Sequence, residues 1–282
     1  MKLYFAPGAC SFVPHVSLAL AGVPFELQML KLHKGEQSSP EFLAINPRGQ
    51  LPVLVDGDLV LDQVVAITVY LDERFPEAGI LPKAQPARAR ALSTLAWMNG
   101  AMHATFAHVF MTHKFASDAE AKAHVKAHNV KVYDAQLQTL DAMCPAVGSG
   151  AWLMGDAPCA LDAYATTLLR WSGLAGLTLQ SYPRLFALAS ACWHCRNWRR
   201  WWLQSVTSLS LRPSLRLNAC YGWWANSVWG AGAGKRTVTS KPGGLRLALA
   251  SLISITACIC WAISCTIAKP NPDPSTLVPS DR

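Results

Sequence analysis

Cys10 and Ser11 are the first residues of this chain whose types and placing could do chemistry. They follow Ala6-Pro7-Gly8, a breaker between an apolar and aromatic run at residues 2–5 and a helical pattern in which Phe12, Val13, Val16 and Leu20 share one side. The pair therefore stands at the mouth of a helix. Unpaired N–H groups and the positive end of the helix dipole favour a thiolate there, so the position predicts a lowered cysteine pKa and a nucleophile or thiol-binding site. The competing reading makes Cys10 a small buried hydrophobe. Other candidates are weaker. His124 and His128 have the i,i+4 spacing of metal ligands, but Lys122, Lys126 and Lys131 surround them and mark a solvated helix face. Residues 1–190 carry no Gly-rich phosphate loop and no metal-ligand cluster, so no metal is expected.

The elements that must position Cys10 can be read in order. Residues 2–5 form a strand, the helix behind Ser11 ends at Ala21-Gly22-Val23-Pro24, and Phe25 to Leu32 alternates as a second strand. A polar loop from His33 to Pro40 and a helical turn at Glu41 to Ile45 lead to the breaker Asn46-Pro47-Arg48-Gly49. Gln50 to Val55 is a strand entered through Pro52, which cannot donate to a ladder and is a candidate cis bond. Asp56-Gly57-Asp58 turns the chain back through Leu59-Val60-Leu61. A helix from Asp62 to about Phe75 follows, with Ile67, Leu71 and Phe75 inward and Asp72, Glu73 and Arg74 outside that stripe. The order predicts a thioredoxin-like α/β domain at 1–77.

Residues 78–86, with Pro82 and Pro86, read as a linker. An all-α domain is expected at 87–190: helices from Ala87 to about Lys114, from Ala119 to Met143 behind a Ser117-Asp118 cap, from about Leu161 to Trp171, and from Pro183. Val125, Val132, Leu137 and Leu140 supply the inner face of the second.

Charge and cysteine divide the chain. Its net charge of +8 comes from 25 basic and 17 acidic residues, of which residues 191–282 hold eleven and two, net +9. The first 190 residues are left with fourteen and fifteen, net −1, which excludes a nucleic-acid binder on charge grounds. Cys10, Cys144 and Cys159 are too widely spaced for a disulfide framework, and no signal-length apolar run opens the chain, so the body is expected in the cytoplasm.

Pro7-Gly-Ala-Cys-Ser, Asn46-Pro-Arg-Gly-Gln-Leu-Pro-Val-Leu, Leu61-Asp-Gln-Val-Val-Ala-Ile and Leu153-Met-Gly-Asp-Ala-Pro-Cys-Ala-Leu-Asp-Ala-Tyr, in that order, resemble a bacterial glutathione S-transferase over residues 1 to about 190. The Cys-Ser is similar to the beta class. The resemblance implies glutathione as co-substrate, a small hydrophobic electrophile as partner, a homodimer and a role in detoxification. It places the glutathione cysteine on the backbone of Leu51, between Gln50 and Pro52, and the γ-glutamyl carboxylate on the helix opened by Gln63 and Val64. Val64 keeps the N–H but supplies no hydroxyl, where many relatives carry serine or glycine. His33 or Lys34 meets the glycyl carboxylate. Cys10 matches the family's cysteine, with Ser11 as the competing partner of the glutathione sulfur. His103 matches a histidine facing the site, in a polar-contact role or as a satisfied interface histidine. Asp162, three residues after Cys159, matches a helix-capping box in which a thiol replaces the usual hydroxyl. The implied reaction is thiolate attack on an electrophile. The alternatives are a glutathione-dependent thiol-disulfide reductase or peroxidase using Cys10 covalently, and a binding protein without turnover.

Residues 191–282 depart from the family. They hold eight of the eleven Trp residues and no Glu. A Trp codon read one base earlier encodes Leu, Val or Met, so a frameshift near residue 190 explains the change. Two functional readings compete with it: a Cys192-x-x-Cys195 redox or half-zinc motif, and a membrane anchor over 247–268, 22 residues without a charge. Nucleic acid would meet this basic tail only non-specifically.

Overall fold

The computed structural model describes residues 1–194. Four short strands form a sheet in the order β2-β1-β3-β4: β1 is Lys2–Phe5, β2 Glu26–Met29, β3 Val53–Asp56 and β4 Leu59–Asp62. β1 pairs parallel with β2, through Leu3 opposite Leu27, and antiparallel with β3, through Leu3 opposite Leu54. β3 and β4 form the expected hairpin around Asp56-Gly57-Asp58. With α1 (Phe12–Ala21) crossing between β1 and β2, the sheet is thioredoxin-like.

α1 is buried more widely than one face, from Phe12 through Leu18, while Leu20 is only half-buried. It is gripped from two sides, by α3 (Val64–Arg74) in its own half and by α7 (Ala160–Ser172) in the helical half. The short α2, Pro40–Leu43, starts on a Ser39 cap. In α3, Ile67 and Leu71 face inward as expected, and Phe75 is half-buried.

Asp72 overturns its expected place outside the apolar stripe: it is fully buried. Its carboxylate accepts from the Leu81 N–H at 3.0 Å, from Lys83 Nζ at 2.6 Å and from Arg88 Nη1 at 2.5 Å. A buried carboxylate is tolerable when two cations and an amide replace its water. The segment that composition marks as a linker is consequently packed. Ile80 and Leu81 are buried, and the Ile80 carbonyl accepts from the Ala160 N–H at 3.1 Å.

The helical half contains α4 (Ala87–Trp97), a π-helical segment at Met98–His103, α5 (Ala104–Phe110), α6 (Ala119–Met143), α7 and α8 (Pro183–His194). Asp118 caps α6 by accepting from Ala121 N at 2.8 Å. The inner face of α6 is Tyr133, Leu137 and Leu140, with Val125 and Val132 only half-buried. The capping box at α7 is present: Asp162 accepts from Cys159 N at 2.8 Å, and its other oxygen accepts from Leu153 N at 2.9 Å. His124 and His128 are exposed, as a solvated face requires.

The tail begins inside α8, where Cys192 is buried 3.5 Å from the Thr166 hydroxyl. Cys195, the supposed frameshifted sequence beyond it and the candidate span at 247–268 lie outside the described residues. No helix among the described residues is long and apolar enough to cross a membrane.

Candidate active site

The turn that carries Cys10 is fixed from the opposite half of the molecule. Gly8 has φ 79°, a left-handed conformation that glycine adopts without a Cβ penalty. Its carbonyl accepts from the indole N–H of Trp171 at 2.9 Å and from the Arg170 guanidinium, both on α7. The Ser11 hydroxyl closes the turn internally, accepting from Ala6 N at 3.2 Å and donating to Ala6 O at 3.1 Å. Ser11 is 1 % exposed, and both hydrogen bonds of its hydroxyl are made within the turn.

Cys10 is buried, with its thiol directed at the Leu51 carbonyl, 3.8 Å away. The expected lowering of its pKa does not occur. Burial pushes the thiol up to about 12. The backbone amides of Cys10 and Ser11 and the Arg170 charge all pull the other way, as a helix mouth should, but they do not offset the lost hydration of a thiolate.

Leu51 precedes Pro52 through a cis peptide bond, as the sequence anticipated. The loop leading to it is held by buried Asn46, whose Nδ2 donates to Gln50 O at 2.9 Å and whose Oδ1 accepts from Arg48 N at 3.2 Å. Arg48 pairs with Asp62 at 2.6 Å and ties this loop to the end of β4. Gln63 follows. Its φ of 70° is the one positive value at a non-glycine position among the described residues. Such backbone strain clusters at functional sites. Gln63 is exposed, and buried Val64 opens α3, so the first amides of that helix lie beside the Gln63 turn.

His103 ends the π-helical segment, a geometry frequent at functional sites. Its Nδ1 lies 2.9 Å from the Tyr164 hydroxyl, which in turn lies 3.1 Å from Asn99 Oδ1. The imidazole meets Trp171 edge-on, with centroids 4.8 Å apart, and burial lowers its pKa to about 4. Phe106 stacks on Trp171 at 4.7 Å and on Phe110 at 5.8 Å, so an aromatic row runs from the Cys10 turn to the surface, where Phe110 is 57 % exposed.

The family model described as "Glutathione S-transferase, N-terminal domain" matches residues 1–73. Glutathione S-transferase 1 of Dianthus caryophyllus is 45% identical over 94 residues, which cover 33% of this chain and 42% of that protein. Glutathione S-transferase GST-4.5 of Xanthomonas campestris pv. campestris is 33% identical over 192 residues, 66% of this chain and 90% of that protein. The chain belongs to the glutathione S-transferase family. A sphingomonad glutathione S-transferase solved in complex with glutathione matches the fold with a TM-score of 0.61 and 27% identity, over 71% of this chain and 96% of that one.

Of the residues that the family resemblance singled out, the structure brings Cys10 and Leu51 into contact and sets Gln63 and Val64 at the start of α3. His103 is joined to the Cys10 turn through Trp171. His33 and Lys34 are exposed on a 3-10 turn, Leu32–Lys34, and Gln50 is exposed beside Leu51. The resemblance did not single out Asn99, Arg170 or Trp171, and it passed over the role of Tyr164. In sequence each sits in an ordinary helical pattern, and only the packing of α7 against α1 turns Arg170 and Trp171 to the Cys10 turn.

Proposed function

We propose that this glutathione S-transferase family member joins the glutathione thiolate to small apolar electrophiles. The observation that carries the reading is the Leu51 peptide. It presents its carbonyl beside the Cys10 thiol, and its N–H has no protein acceptor among the described residues. An extended peptide such as glutathione can add to that edge as a strand does, with its cysteine beside Cys10. The first amides of α3, at Val64 and Val65, then take the γ-glutamyl carboxylate with Gln63 beside them. His33 or Lys34 takes the glycyl carboxylate. The Phe106, Phe110 and Trp171 row offers an apolar surface to the electrophile. On an aryl halide the thiolate forms a C–S bond, halide leaves with the electron pair, and the thiol proton passes to solvent.

Disulfide exchange through Cys10 requires its thiolate. A buried thiol with a pKa near 12 argues for conjugation over that chemistry. As in its family, the protein is proposed to act as a homodimer in the cytoplasm, in detoxification.

Retention of the full chain on immobilised glutathione, followed by conjugation of a chlorodinitrobenzene, tests the reading. Retention with turnover supports it. Retention without turnover leaves a binding protein, and no retention defeats the glutathione site.

A further inference from the structure

We infer that Asn99 sets the tautomer of His103 through the hydroxyl of Tyr164, placing the ring proton on Nδ1 and leaving Nε2 as a hydrogen-bond acceptor. The Tyr164 oxygen stands between His103 Nδ1, at 2.9 Å, and Asn99 Oδ1, at 3.1 Å. A phenol has one proton to give. An amide oxygen only accepts, so the Tyr164 proton is committed to Asn99, and the contact with His103 is a hydrogen bond only if Nδ1 carries the hydrogen. Burial keeps the imidazole neutral near pH 7, so it holds a single ring proton and Nε2 is bare.

The backbone supports the arrangement. Asn99 and His103 both belong to the π-helical segment Met98–His103, and both side chains reach one hydroxyl on α7. Trp171, edge-on to the imidazole at 4.8 Å, bears on the same ring. Because Nδ1 is engaged by Tyr164, Nε2 is the atom left for a ligand. No proton travels on through Tyr164, because an amide oxygen is not a base. That this ligand is glutathione rests on the proposed function. The tautomer does not. Asn99 and Tyr164 are thus positioning residues for His103.

Two-bond proton–nitrogen NMR on the full chain labelled with 15N-histidine reads the tautomer directly, with His103→Gln identifying the signals. The expected pattern is a protonated Nδ1 and a far-downfield, unprotonated Nε2. A proton on Nε2 in the unsubstituted protein overturns the inference. Asn99→Asp, whose carboxylate also only accepts, keeps the pattern. Asn99→Ala frees the Tyr164 proton to turn to Nδ1 and moves the histidine proton to Nε2. An unchanged tautomer in Asn99→Ala also defeats the role of Asn99, whereas loss of packing alone does not separate the two variants in this way. A protein that shows the expected tautomers but is not retained on glutathione loses the proposed function and keeps this inference.

Discussion

The indole N–H of Trp171 donates to the carbonyl of Gly8 at 2.9 Å, so a side chain of the helical half holds the turn on which Cys10 sits. Arg170 donates to the same oxygen. The position of the sulfur site is thus a property of how α7 packs on α1, and the thioredoxin-like half does not build it alone. Trp171→Phe keeps the stacking ring and deletes one of the two donors. A single hydrogen bond is worth about 1 kcal/mol, so kcat/KM for glutathione should fall roughly fivefold. Adding Arg170→Met leaves the carbonyl unpartnered and should cost about 1–3 kcal/mol relative to the intact turn. Steady-state kinetics with glutathione varied at a fixed electrophile measures both, and wild-type values in the double variant would refute the clamp.

Asp72 makes the corresponding prediction for stability. Its carboxylate joins α3 to the segment before α4 through Leu81 and Lys83 and to α4 itself through Arg88, and it is fully buried. Asp72→Asn leaves the Arg88 side chain, only 20 % exposed, without its charge partner. Breaking a buried pair from one side costs about 3–5 kcal/mol, and the exposure of Lys83 sets the expectation at the low end. Urea denaturation should show a lower midpoint with an unchanged slope. A midpoint equal to that of the unsubstituted protein would show that the carboxylate contributes nothing.

The same two residues show what the sequence could and could not reveal. The order of strands and helices, the strand behind Pro52 and the cap of α6 follow from local rules of turn chemistry and periodicity, and all were legible. Asp72 was not, because periodicity reports only apolar faces, and a carboxylate satisfied by distant cations looks the same as a solvated one. Trp171 read as the end of a helix, since nothing local tells which helix face meets the Gly8 turn. Cys10 was placed correctly at a helix mouth. Its pKa was misjudged because the helix dipole is a local property and burial is a tertiary one.

Two histidines, His15 buried and His103 half-buried, link stability to pH. His15 lies between Phe5 and Phe25, with ring centroids at 6.4 and 5.6 Å, and burial lowers its pKa from 6.5 to about 4. His103 is lowered to about 4 by the same cause. Between about pH 6.5 and 4 the unfolded chain binds protons that the folded chain refuses. Stability therefore rises with pH across this window, and acidification from pH 7 destabilises the fold. The loss is on the order of 3 kcal/mol per histidine at the acid end, less where water reaches the ring. Urea midpoints at pH 7 and pH 5 should differ accordingly, and His15→Leu should flatten the difference. An equal pH dependence in that variant would remove His15 as a source.

Cys10 gives the sharpest distinction between the competing chemistries. With its pKa near 12, a negligible fraction is thiolate at pH 8, and the sulfur is buried against Leu51. Alkylation by iodoacetamide in the native protein should run at least tenfold slower than for an ordinary exposed cysteine, since the gain in nucleophilicity with pKa offsets only part of the lost thiolate. Mapping of the modified Cys10 peptide against time, in native and in urea-unfolded protein, gives the ratio. Arg170→Met removes the charge that pulls the thiol down and should slow the native reaction further. Cys10→Ala should retain conjugation, because the glutathione peptide binds through the Leu51 backbone. Rapid native alkylation, together with loss of turnover in Cys10→Ala, would instead make Cys10 the nucleophile and the protein a disulfide reductase.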